Sequence, residues 1–318
     1  YWANPYSAEQ EIVHGQIKTN DDGEFSIEFK AKPNKAVNPK FKPFFSYRTE
    51  VDVVDSTGET RSGNISINVG YVAMQMRPTV EGWLPDNQDI KLHISTTTLD
   101  GRPAQADGTV EIHALNAPKN VQRRPSSGEY YNWYRYWATE THGSGSAKDL
   151  SNIENWEIGK SVTSAKFTSQ EGAGDVSFKL DEGAYCAILK SKDQFGSAIE
   201  EKLFFTVFGL STEKNTFSVN VPSFFRAQST SLKVGEKLQA ILATGYQHGG
   251  AYISLTQHGK VLKSYWTKPS SQFHTITLPI TENLKGGFTL ETVYVQDNQL
   301  YYNNNMINVE RPEKNLKV

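Results

Sequence analysis

Apolar side chains along this chain recur at every second position, and polar turn residues interrupt them at strand-length intervals. That period sends successive side chains to opposite faces of a pleated backbone, so burial has to be achieved by sheets rather than helices. The pattern also repeats. Alternating strands at Phe25–Phe29, Val176–Leu180 and His274–Leu278 are each followed by a hairpin that turns on an aspartate. The turns are Asp55–Gly58, Asp193–Gly196 and Asp297–Leu300, and the second arms end near Val69, Val207 and Val309. Recurrence at about the length of a small domain marks a tandem array. The fold class expected is all-β: tandem antiparallel β-sandwiches with one long irregular insertion.

The breaks in the pattern set the boundaries. A first unit over 1–71 holds the tight turn Asn20–Gly23, a strand Glu24–Ala31 and a hairpin pairing Ser46–Val54 with Thr60–Val69. In the first arm Val51 and Val53 face one way and Glu50 and Asp52 the other, as in a half-buried antiparallel strand. This unit lacks the opening strand of its neighbours and is read as truncated at its N-terminus, since a sandwich without that strand exposes an unpaired edge. The second unit, 72–209, carries the insertion at about 117–162; the third covers 210–311, and 312–318 is a linker or the start of a further unit. Short linkers near Tyr71 and Gly209 are expected to let the units move against one another.

Composition removes several function classes. With 318 residues and a formal net charge of −2, the chain has no basic field to recruit nucleic acid or anionic lipid. Direct membrane insertion by this stretch is not expected, because no apolar run is long enough to span a bilayer. The single cysteine, Cys186, sits in the apolar run Ala184–Leu189 and reads as a small buried hydrophobe.

Catalytic, cofactor-binding and metal residues are assigned as none. His93 and His113 are placed across one hairpin on a polar face, but two imidazoles without a third ligand make a poor zinc site. The aspartates at 21, 22, 55, 100, 193 and 297 all fall in turns, where their side chains bond their own backbone. The insertion holds an aromatic run, Tyr130, Tyr131, Trp133, Tyr134, Tyr136 and Trp137. These flat, polar-edged rings are the candidate contact with a neighbouring domain or a partner.

Taken together, several segments resemble the macroglobulin-like β-sandwich domains of bacterial α2-macroglobulins, a sheet design close to immunoglobulin and fibronectin modules. They are Asp22–Ile27 and Val51–Arg61 in the first unit, and Gly183–Gly196 in the second. The third unit adds Lys233–Leu242, Gly259–Trp266 and Leu278–Glu282. The resemblance implies a non-catalytic scaffold fragment of a broad-spectrum protease inhibitor, in which a bait segment is cleaved and the surrounding shell traps the attacker. It implies an exported protein, periplasmic or anchored at the outer membrane or cell surface. Its partners would be the other domains of the parent protein and, through the full-length protein, host or competitor proteases. The thioester motif of many members is not present at Cys186, which is followed by Ala-Ile-Leu rather than by a Glu-Gln pair. The alternative is a cell-surface binding module for glycan or protein, built from transthyretin-like or immunoglobulin-like sandwiches.

Overall fold

The computed structural model describes residues 9–124, 148–209, 216–247, 249–269 and 271–311. Among them regular structure is strand, apart from three single turns of 3₁₀ helix. In the first unit, β1 (Phe44–Val54) and β2 (Thr60–Gly70) form an antiparallel hairpin. Its turn is built by Asp55, whose Oδ1 accepts from the Thr57 and Glu59 amides, with Gly58 at φ 87°. The register puts Tyr47, Val51, Val53, Ile65 and Ile67 on one face, as alternation predicts. That face is thinly covered: Phe29 packs on Tyr47 at 5.6 Å, while Ile65 stays 59% exposed.

The strand expected over Glu24–Ala31 does not form. Its turn does: the Asn20 side chain accepts from the Asp22 and Glu24 amides, and Gly23 sits at φ 79°. The flanking residues, however, find no strand to pair with and form no ladder. Alternation alone does not make a strand unless a second backbone accepts its hydrogen bonds.

The second unit is a seven-stranded sandwich. One sheet has the order β3 (Met74–Val80), β4 (Asp89–Thr98), β7 (Ala173–Lys179). The other runs β6 (Glu157–Ser169), β5 (Ala106–Asn116), β8 (Gly183–Lys192), β9 (Ala198–Val207). Inward residues of both sheets, among them Leu92, Ile94, Val110, Ile112, Phe178 and Leu189, make its core. Regular pairing resumes earlier than expected, because β6 begins at Glu157 rather than after 162. Those first residues alternate weakly and are mostly exposed, so hydrophobic pattern could not reveal them. Gly159 is needed there: a Cβ would lie 2.7 Å from the Ala114 carbonyl oxygen, beside two register shifts in the pairing of β5 with β6.

The third unit packs a three-stranded sheet, β10 (Phe224–Ala227), β12 (Lys237–Ala243), β15 (Phe273–Pro279), on a five-stranded one. The latter has the order β11 (Ser231–Leu232), β17 (Gln299–Val309), β16 (Phe288–Gln296), β13 (Tyr252–Gln257), β14 (Lys260–Trp266). Leu238, Leu242, Ile253, Leu290, Tyr294 and Ile307 lie in its core. The three aspartate hairpins are not equivalent. Asp55 and Asp193 each accept amides two and four residues on, ahead of a positive-φ glycine. Asp297 and Asn298 both take positive φ, 50° and 56°, as in a two-residue primed turn.

Candidate functional site: an apolar joint between the second and third sandwiches

Strand β8 is buried on both faces. Tyr185, Ala187 and Leu189 point into the second sandwich, whereas Ala184, Cys186 and Ile188 point out of it and are covered all the same. Strand β12 repeats this in the third unit, with Leu238, Ala240 and Leu242 inward and Ile241 and Ala243 outward. The two outward faces meet in one apolar cluster with Leu115, Trp156, Phe208, Phe217, Val219, Val221 and Phe224. A strand buried on both faces reads as a continuous apolar run. Ala184–Leu189 and Ala240–Ala243 are such runs, and that was the signal in the sequence for this joint.

The joint is aromatic at its centre. Phe208, with no exposed surface, meets Trp83 edge-on at 4.9 Å and Phe224 at 6.1 Å, and Phe217 stacks on Phe224 at 5.3 Å. The Arg226 guanidinium lies 5.5 Å from the Phe224 ring centroid. Phe208 is also held by its backbone, donating to Leu84 O at 3.0 Å and accepting from the Asp86 amide at 2.8 Å. Polar links close the rim: the Ser218 amide donates to Glu182 Oε1 at 2.9 Å, and Asn220 Nδ2 donates to Pro118 O at 2.8 Å. Beyond β5 the chain crosses to the third sandwich, where Arg123 Nη1 donates to Asp297 O at 3.1 Å.

A free hinge at Gly209 does not fit this arrangement. The residue before it, Phe208, is locked in the cluster between Trp83 and Phe224. The junction at Tyr71 has a different chemistry. There the Asn68 amide donates to Asp100 Oδ1 and Asn68 Nδ2 to Leu99 O, so the first hairpin meets the second sandwich through polar bonds. Exposed polar links of this kind contribute far less than a buried aromatic cluster.

Cys186 is fully buried in the joint, and burial pushes its thiol up to about 11. It stays protonated, so it supplies neither a nucleophile nor a metal ligand. The histidines do not sit across one hairpin: β4, carrying His93, pairs with β3 and β7, while β5, carrying His113, pairs with β6 and β8. His93 Nδ1 lies 2.6 Å from Asp175 Oδ1, and His113 Nδ1 3.1 Å from Gly159 O. Among the described residues no group of three metal-ligating side chains comes together. Asp55 and Asp193 act as turn builders, as read from the sequence, and Asp193 does more by tying β8–β9 to the start of β3. The aromatic run at Tyr130, Tyr131, Trp133, Tyr134, Tyr136 and Trp137 lies outside the described residues.

Comparison with curated proteins returned no match. Among solved structures, a tetra-tandem repeat from the extending region of a large adhesion protein is 14% identical, with a TM-score of 0.24. That alignment covers 83% of this chain and 56% of the other. The fold described above rests on strand pairing alone. Residues 224–318 match the family model of the alpha-2-macroglobulin bait region domain. The match begins at the first residue of β10, so it takes in the third sandwich from its first strand onward.

Proposed function

We propose that this chain is a non-catalytic scaffold segment of a protease-trapping protein, exported to the periplasm or the cell surface. The observation that carries the reading is the bait region domain match over a sandwich that is fastened to its neighbour by a buried aromatic joint. A trap works by converting cleavage at one place into displacement of a large shell. Displacement is transmitted only by parts that do not slip, because packed interfaces hold discrete arrangements rather than deforming continuously. Within the segment, the apolar joint makes the second and third sandwiches one lever, and the polar junction near Tyr71 is where the first unit turns against them. Its partners in this reading are the remaining domains of the parent protein and the captured protease.

The test is to mix the full-length protein with a broad-specificity endoprotease and follow two substrates, a small chromogenic peptide and a large protein. Trapping predicts that peptide hydrolysis persists while hydrolysis of the large protein is blocked. If both proceed at the rate of free protease, with the chain cleaved, the proposal fails.

A further inference from the structure

The outer face of the five-stranded sheet has a different character from the joint. Cross-strand register lines up Trp266, Tyr252, Val293 and Tyr302 in one row across four strands, and Ser264, Ser254, Glu291 and Asn304 in the next. With strands about 4.8 Å apart, the first row spans about 14 Å from Trp266 to Tyr302. Trp266 is 70% exposed and Tyr302 50%, and the Trp266 and Tyr252 rings lie 5.3 Å apart.

The polar row is organised before any ligand arrives. Glu291 Oε1 accepts from Tyr302 Oη at 2.9 Å, and Oε2 accepts from Ser254 Oγ at 2.9 Å and Thr256 Oγ1 at 3.3 Å. Asn304 Nδ2 donates to Tyr302 Oη at 3.1 Å. A carboxylate offers about four acceptor sites, so one on Oε1 remains for an incoming hydroxyl. Fixing such groups in advance removes part of the ordering cost of binding.

The joint shows what a contact between domains looks like in this protein: Phe, Trp, Leu, Val and Ala, with charge kept to the rim. The outer face instead alternates flat rings with a row of hydroxyl, carboxylate and amide groups. A sugar has the complementary surface, with apolar C–H faces that lie on rings and hydroxyls at the rim that bond to the polar row. Neither row contains a lysine or arginine, and Glu291 repels anions, which disfavours an acidic sugar.

We infer that the outer face of the third sandwich is a platform for a neutral oligosaccharide, with Trp266, Tyr252 and Tyr302 stacking against it and Glu291 and Asn304 bonding its hydroxyls. This site is independent of the trapping proposal and does not involve the joint.

The test is calorimetric titration of the purified chain with neutral oligosaccharides of about four units, long enough to span the ~14 Å row. The panel comprises β-linked glucose, β-linked N-acetylglucosamine, α-linked glucose and mannose series. At least one should bind, and Trp266→Ala should weaken it about tenfold or more. Tyr265→Ala is the control, since Tyr265 pairs with the inward-facing Ile253 and so points to the other side of β14; it should leave binding unchanged. No binding by any member, or equal loss in both variants, overturns the inference. Self-association abolished by Trp266→Ala, without sugar binding, would assign the face to a protein contact and overturn it as well.

Discussion

Removing the Phe208 ring tests the joint at its centre. The side chain is fully buried, flanked by Trp83 at 4.9 Å and Phe224 at 6.1 Å, and rigid rings on both sides cannot collapse into the space it leaves. Phe208→Ala should therefore cost about 3–5 kcal/mol, as for buried phenylalanines in tight surroundings. For a cooperative unit of roughly 150–250 residues each kcal/mol moves the melting temperature by about 2–4 °C, so the shift should be about 6–20 °C. The shape of the transition is more telling than its position. With the joint intact the second and third sandwiches should melt together; in the variant they should separate into two transitions. Calorimetry reads both, and fluorescence from Trp83 and Trp156, on the second sandwich's side, helps assign them. A single transition displaced by less than about 2 °C would refute the reasoning, because it would mean that Phe208 fills space without coupling anything.

Other consequences follow from single residues. Cys186 should ignore a thiol reagent at pH 8 in the native protein and react fully once the chain is unfolded in guanidinium; rapid native reaction would contradict its burial. The folded state holds that thiol's proton up to about 11, whereas the unfolded thiol releases it near pH 8.5, so stability should fall between about pH 9 and 11. Cys186→Ala should flatten that slope in a pH series of denaturant melts. Asp193→Ala leaves the Phe195, Ser197 and Ala73 amides without their acceptor and should destabilise the second sandwich by about 1–3 kcal/mol in urea titrations. Burial raises the Asp193 carboxyl, but those three amides outweigh it and hold it below the usual range. The stability it adds is present above the unfolded carboxylate value and is lost as pH falls through the folded one. Strand β14 is a sheet edge with Val261, Leu262, Tyr265 and Trp266 all exposed, and Lys260 and Lys263 are the charges that keep it from pairing with another chain. Lys260→Val with Lys263→Val should raise light scattering on concentration, and no change would show that the edge is guarded by something else.

Much of this was legible because period two is a strong signal where one face is wet. The hairpins β1–β2, β8–β9 and β16–β17 and the core faces of β4, β5 and β7 follow from it directly. It failed where a strand's partner was missing, as at Phe25–Phe29, and where the strand was short and irregularly set, as at Phe224–Ala227 behind Pro222. Sheet membership was hidden too. His93 and His113 lie on successive strands, yet β4 and β5 belong to opposite sheets, and alternation does not say which way a chain crosses. The joint left a trace in the two runs that lack polar members, but a run buried on both faces resembles any apolar segment until its second cover is known. The outer-face rows were beyond sequence altogether, because Trp266 and Tyr302 are brought together only by the order of β14, β13, β16 and β17.

The claim on which the rest depends is that the second and third sandwiches move as one body. Spin labels on Lys179→Cys and Lys260→Cys report the distance between them, with the buried Cys186 thiol silent to the labelling reagent. Pulsed dipolar spectroscopy should give one narrow distance distribution, broadening when Phe208→Ala is added. A broad or two-peaked distribution in the otherwise unaltered protein would show that the sandwiches swing independently, and the lever would be gone.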